Sequence, residues 1–403
     1  MKILFITQRV PFPPNKGEKI RTFHQIQFLA EQGHEIRVAC PVEKNIDTIN
    51  IRELDERLLT KTTSSKLMPK LFRYLRALIF QKPISTSYFY DNKLQEKINK
   101  LLSEEIDIVI CSSSSVMEYI FKTNQLNHSN QPKIIVDFMD LDSDKWLQYV
   151  KKSTGLIKLI YSREAKLLQN YEYQVQQNVD HCLFTSEKEV DLFKKSNTKF
   201  HNVESMGNGL DTAYFQPVQK AFNENKPTFI FTGVMDYLPN VDAVEWFTKK
   251  VWPNILTHWP KARFIIAGMK PTEKVCALND TKGVEVTGFV SDIREYYQQA
   301  DFFVAPLRIA RGVQNKILQG FACNIPVIST PNAIQGIKCE QERDLLVAES
   351  EEEFFLQIKR LIEQPSLRKA ISANALALVI DNYSWSNQLK KLDSLINNEN
   401  GHK

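Results

Sequence analysis

Apolar positions in this chain follow two alternating patterns, short continuous runs and stretches spaced at three- and four-residue steps. Residues 2–7 form a short apolar run, which predicts a buried parallel strand. A turn-rich segment, Pro11 to Gly17, follows it. Ile20, Phe23, Gln27 and Ala30 then recur at helical spacing, and Gly33 supplies a C-cap. Glu35–Cys40 reads as a second strand. Strand, loop, helix, strand is the opening unit of a doubly wound sheet.

The same order returns at Ile106–Cys111, Lys133–Asp137 and His181–Thr185, the last just before a helix start at Ser186-Glu-Lys-Glu. Residues 217–227 are polar and bounded by Pro217 and Pro227, which predicts a linker. The pattern then restarts with strands at Thr228–Thr232, Arg263–Ala267, Val284–Thr287, Phe302–Ala305 and Pro326–Ser329. Helices are expected over 242–251 and 315–322. The predicted fold class is α/β, with two Rossmann-like doubly wound domains over 1–216 and 228–385.

A length of 403 residues fits two domains, and 43% hydrophobic with 25% charged residues is ordinary for packed cores. The net charge of +5 is too small to argue for nucleic acid. Six cysteines are scattered without a CxxC, so no disulfide framework or zinc site is expected, and a reducing compartment fits. The amino terminus has no signal-peptide pattern, and no apolar run is long enough to span a bilayer. We therefore expect a cytoplasmic protein, soluble or peripheral on the inner face of the cytoplasmic membrane. One segment alters the electrostatic picture. Between Arg57 and Tyr90 there are seven basic residues and no acidic one, and 71–80 has the pattern of a basic amphipathic helix. It predicts contact with an anionic membrane surface through 57–90.

Neither half carries GxGxxG or GxxxxGK[ST], which argues against hydride transfer and P-loop chemistry. Ligands of open α/β sheets bind beyond the carboxyl ends of strands, so the loops there are informative. After Phe302–Ala305 come Arg308, Arg311, Gly312 and Lys316, leading into a helix that also carries Gln319. Cations, a glycine turn and a helix N-terminus suit a diphosphate. After Lys133–Asp137, four aspartates crowd together: Asp137, Asp140, Asp142 and Asp144. A general base, a hard-cation site and simple helix capping are all open to them. The loop after the first strand offers Asn15, Lys16, Gly17 and Arg21.

Asn208-Gly-Leu-Asp211, Phe215-Gln-Pro217, Phe289-Val-Ser-Asp-Ile-Arg294 and Ile325-Pro-Val-Ile328 resemble the retaining family 4 glycosyltransferases of GT-B fold. Pro13–Arg21, Val136–Trp146, Gly233–Ala243 and Ala310–Lys316 are similar to the sugar transferases of exosortase/PEP-CTERM exopolysaccharide loci. The resemblance implies two domains facing across a cleft, with a helix over about 386–398 returning to the first. It implies a nucleotide-diphospho-sugar donor, a glycan or lipid-linked acceptor, retention of configuration, no required divalent metal or other cofactor, and no nucleic acid. Carried over by motif, Gly17, Arg311, Gly312, Lys316 and Gln319 are donor-binding, and Gly233 and Arg308 are assigned to the same site. Asn15, Lys16 and Arg21 face the acceptor, and Asp137 and Asp140 are the catalytic candidates.

Two departures from the family pattern stand out. Its Glu-x7-Glu is replaced by Arg311 and Gln319, and an Arg…Lys pair after the first strand of the second domain by Val234…Asn240. Arg308, Arg311 and Lys316 are expected to compensate. The glutamine also keeps two other readings open: a weakened protein that binds nucleotide sugar or glycan as an assembly partner, and a nucleotide-sugar hydrolase or epimerase.

Overall fold

In a computed structural model, residues 1–398 are described apart from 70–71, 74–76, 78–80, 124–130, 152, 196–199, 218–219 and 311–312. The chain divides into two compact units, Met1–Asn208 with Gln388–Lys403, and Gly209–Asn387.

The first unit holds a seven-stranded sheet of order β3-β2-β1-β4-β5-β6-β7, parallel throughout. Its strands are β1 (Lys2–Thr7), β2 (Glu35–Val42), β3 (Lys61–Lys66), β4 (Ile108–Ser112), β5 (Lys133–Met139), β6 (His181–Phe184) and β7 (Val203–Ser205). The inner strands are apolar on both faces because helices cover both, and Ile3 to Ile6 have no solvent exposure. Helices α1 (Gly17–Glu31), α2 (Asp142–Lys151), α3 (Gly155–Gln177) and α4 (Glu187–Lys194) follow β1, β5 and β6.

The second unit holds a six-stranded parallel sheet of order β10-β9-β8-β11-β12-β13. Its strands are β8 (Thr228–Thr232), β9 (Arg263–Ala267), β10 (Val284–Gly288), β11 (Phe302–Ala305), β12 (Val327–Ser329) and β13 (Leu346–Val347). Its core closes around Trp252, flanked by Phe229 and Phe264 and donating Nε1–H to the Lys282 carbonyl at 2.9 Å. Helices α5 (Leu238–Trp246) and α6 (Asn315–Ala322) follow β8 and β11. Both sheets reverse strand order beside their first strand, between β1 and β4 and between β8 and β11. Those are the positions where this architecture opens a crevice.

Several boundaries differ from the sequence reading. The helix expected at 242 begins at Leu238, where Pro239 is preorganised for a first turn, and its regular part ends at Trp246. Leu210 and Phe215 sit in the second core and Phe222 packs against it, so the polar segment 217–227 falls inside that unit. The helix Trp385–Asn397 passes from one unit into the other, and Lys133 Nζ donates to the Leu395 and Asn398 carbonyls at 2.8 and 2.7 Å. Strand β3, Lys-Thr-Thr-Ser-Ser-Lys, has no apolar signal because it is a sheet edge.

Of the expected basic helix at 71–80, only Phe72, Arg73 and Ala77 lie within the described residues. Arg73 is buried, reaching Glu43 and the Tyr88 carbonyl, with its guanidinium 3.9 Å from the Tyr88 ring centroid. Lys82 pairs with Glu118. Acidic partners from elsewhere in the fold thus consume charge that the acid-free run left unpaired. Among the described residues no helix is long and apolar enough to cross a membrane.

Trp252→Ala should lower stability by about 3–5 kcal/mol, because a large cavity opens between two phenylalanines. Urea unfolding followed by circular dichroism would show the transition of the second unit moving to lower denaturant with little change in that of the first.

Candidate functional site

At the carboxyl ends of β1, β4, β5 and β6 the first unit has a cavity of about 330 Å³. Gln8, Arg9, Ser113, Met139, Asp140 and Thr185 line it from the strand ends, and Gly17 and Glu18 from the start of α1. Gly17 leaves open space where a Cβ would stand, so the backbone of the α1 N-terminus is accessible there. Asn15 and Lys16 are exposed just before it and do not line the cavity.

Beneath this cavity lies a buried ion pair. Arg21 is 1% exposed and Asp137 not at all. Arg21 Nε donates to Asp137 Oδ2 at 2.6 Å and Nη2 to Oδ1 at 3.0 Å. Gln25 Nε2 donates to the same Oδ2 at 2.5 Å, and the Met139 amide to Oδ1 at 3.2 Å. The remaining Arg21 nitrogen, Nη1, donates to the Gly207 carbonyl at 3.1 Å and to Asn208 Oδ1 at 3.0 Å. Both Asp137 oxygens and all three Arg21 nitrogens therefore have partners. Asp137 is sealed beneath the cavity and does not line it, whereas Arg21 lines the cavity floor while holding that carboxylate. The catalytic expectation for Asp137 is corrected on this ground, while Arg21 stays at the cavity.

Asp140 is different. The β5–β6 register shifts between Asp137 and Met139, and Met139 takes φ +64°. With the Asp140 amide bonded to the Phe138 carbonyl at 2.8 Å, this tight turn presents the Asp140 carboxylate at the cavity. Lys145 Nζ lies 2.6 Å from Asp140 and 3.4 Å from Asp142. Burial pushes the Asp142 carboxyl above its usual range, against the pull of Lys145. Glu189 is also raised by burial, with Thr185 Oγ1 donating to it at 2.6 Å and Asp140 repelling it. Among the described residues no group of three or more His, Cys, Asp or Glu is placed to hold a metal ion.

The sequence reading missed Lys145, Thr185, Glu189 and the Arg9–Glu18 pair at 2.6 Å. Glu189 had a visible signal, but its Ser186-Glu-Lys-Glu context marked a helix start, which it also is.

In the second unit, Gly233, Lys316 and Gln319 gather at the reversal of strand order. Lys316 Nζ donates to Asn240 Oδ1 at 2.6 Å and sits 4.3 Å from the Phe231 ring centroid. A Cβ on Gly233 would stand 2.6 Å from Asn240 Nδ2 and 3.0 Å from Lys316 Nζ, so any larger residue would have to displace these side-chain ends. Gly268 backs Gly233: at φ +150°, an added Cβ would lie 1.7 Å from the Gly233 carbonyl oxygen. Burial, with no carboxylate partner, lowers the Lys316 ammonium to about 7. Gln319 is held by Tyr297, whose hydroxyl lies 3.0 Å from Gln319 Oε1 and 2.9 Å from Thr232 Oγ1.

Arg308 departs from expectation. Its guanidinium faces Asp242 on α5 in a two-pronged pair, with Nε 3.0 Å from Oδ2, so its charge is already compensated. Arg311 and Gly312 lie outside the described residues.

Arg21→Met should destabilise the protein by about 3–5 kcal/mol, because it strands a buried carboxylate. Arg21→Lys should recover little, since an ammonium cannot reproduce the fork. Pairing Arg21→Met with Asp137→Leu should restore part of the loss, and a double-mutant cycle by urea titration measures the coupling.

Residues 226–364 match the family described as glycosyl transferases group 1. Along 99% of its length the chain is 22% identical to an uncharacterized 44.6 kDa protein in the cps region of Klebsiella pneumoniae, covering 100% of that protein. HepE from Anabaena, solved in complex with UDP, aligns over 98% of this chain and 99% of its own at TM-score 0.62 and 12% identity. A glycosyltransferase from Rickettsia africae aligns over 98% and 97% at TM-score 0.60 and 15% identity. Sucrose-phosphate synthase from Thermosynechococcus elongatus aligns over 98% of both chains at TM-score 0.58 and 13% identity. With two Rossmann-like parallel-sheet units matched along nearly its whole length, the chain has the GT-B fold, and its second unit carries a glycosyl transferases group 1 region.

Proposed function

We propose that this protein is a retaining, family 4-like glycosyltransferase that moves a sugar from a nucleotide-diphospho-sugar to a glycan or lipid-linked acceptor in exopolysaccharide or surface-glycan synthesis. The observation that carries the reading is Lys316, a partly enclosed cation held by Asn240 against Gly233, at the strand-order reversal of the region that matches the family. A site already shaped for a cation and cleared by two glycines suits a diphosphate. The UDP and UDP-glucose complexes of HepE support a nucleotide-sugar donor, and the cps-region relative supports a glycan product.

In this reading the second unit holds the donor, with Lys316 countering charge on the departing diphosphate. The acceptor occupies the first unit's cavity, where Asp140 accepts a hydrogen bond from its hydroxyl. The acceptor oxygen bonds to the anomeric carbon as the carbon–oxygen bond to the diphosphate breaks, and the hydroxyl proton passes to the leaving phosphate oxygen. Gln319, fixed by Tyr297, presents a neutral amide where a carboxylate would bind a ribose more strongly. That change favours one other reading, nucleotide-sugar binding without transfer.

A thermal-shift panel of UDP-, GDP-, ADP- and dTDP-sugars tests the donor site. A donor at a hundred times its Kd should add about 2.7 kcal/mol, and Lys316→Met should abolish the shift. Asp140→Asn should leave that shift intact while lowering transfer about a hundredfold, read as product formed with glycan acceptors. No shift with any nucleotide would refute the donor assignment, and binding without product in every acceptor assay would favour the binding-only reading.

The Lys316 ammonium also predicts a pH signature. Its value of about 7 in the folded protein lies below that of an unfolded lysine, so between those values only the unfolded chain holds this proton. The residue's contribution to stability therefore rises with pH across that window. A bound diphosphate reverses the shift, so binding near pH 8.5 should take up about one proton and weaken as pH rises further. Titration calorimetry in buffers of different ionisation enthalpy measures the uptake, which should vanish near pH 5.5 and in Lys316→Met.

A further inference from the structure

We propose that the α2–α3 hairpin of the first unit is a docking finger for an anionic phospholipid surface. Among the described side chains of α3, burial begins only at Glu164. Before it, Ile157, Lys158, Leu159 and Ile160 are consecutive and all exposed, the three aliphatic side chains by 55%, 66% and 52%. Four successive helical residues point around much of the circumference, so this turn presents an exposed apolar surface. Leu147 and Tyr149 on α2 are exposed as well, and Trp146, Tyr149 and Tyr161 form a ring cluster between the two helices. An apolar tip with tryptophan and tyrosine behind it matches the layering of a membrane interface.

Charge selects the occupant. From Lys145 to Arg163 there are five basic residues and no acidic one. Lys145 serves the cavity carboxylates and Arg163 faces Glu164, whereas Lys151 and Lys158 make no ion pair among the described residues. A second copy of the same tip would set these cations against each other. An anionic bilayer would pair with them while the aliphatic side chains enter its boundary. No described helix could cross a bilayer, so the finger lies in the interface rather than spanning it. This surface is separate from the 57–90 run, of which Arg73 and Lys82 face acidic residues within the fold.

Vesicle binding does not depend on any transfer reaction. One consequence does rest on the glycosyltransferase reading: α2 carries Lys145 at the cavity and Leu147 and Tyr149 on the finger, so docking would bring the cavity near the lipid surface and favour a lipid-linked acceptor.

The test is flotation of the full-length protein with vesicles of phosphatidylglycerol and phosphatidylcholine, against vesicles of phosphatidylcholine alone. The wild type should float with the anionic vesicles only, and less as salt is raised. Leu159→Gln with Ile160→Gln, and separately Lys151→Gln with Lys158→Gln, should each weaken binding about tenfold or more. All four positions are exposed, and an unchanged donor-induced thermal shift confirms that the variants fold. The proposal is overturned if wild type stays unbound to anionic vesicles, if both variants float as well as wild type, or if sedimentation shows a dimer that the variants dissociate.

Discussion

Arg21 and Asp137 lie under the first cavity with almost no access to water, and charges so placed must satisfy each other or destabilise the fold. They do so in a two-pronged pair, and that pair ties distant parts of the unit together. Arg21 comes from α1, Asp137 from β5, and Gly207 and Asn208 from the end of the unit. The Met139 amide, bonded to the same carboxylate, fixes the turn that presents Asp140. The geometry of the cavity's exposed acid is thus a property of the buried pair beneath it. In the second unit the corresponding constraint is steric, with Gly268 packed against Gly233 and Lys316 lodged beside both.

Most of the strand framework was legible because buried parallel strands leave short apolar runs bounded by turn residues. Residues 2–7, Thr228–Thr232, Arg263–Ala267 and Phe302–Ala305 each stand where the pattern predicts. Elements stabilised by local hydrogen bonding or tertiary context were harder to see. β3 is polar throughout, and near the start of the long helix Gly155–Gln177 the apolar Ile157, Leu159 and Ile160 are exposed.

The candidate sites were legible as loops but not as roles. Asp137 and Asp140 stand three positions apart in one acidic string, and only the fold shows that one is sealed by Arg21 while the other faces the cavity. Arg308 looked like a free cation because its partner, Asp242, is distant in sequence. Asn240 appeared to be a lost basic residue; in the fold its side chain orients Lys316. A sequence names the groups available, whereas charge compensation is settled by contacts between remote segments.

The polar edge strand carries a last consequence, for strand pairing between molecules. β3 ends the first sheet with a lysine at either terminus, and Lys97 Nζ caps the Ser64 carbonyl on that edge at 2.7 Å. An incoming strand would have to displace this cation and desolvate the flanking ones before forming its first ladder bond. The edge therefore resists templating foreign β-structure, so the apolar interior of the sheet is not continued outward by an incoming strand.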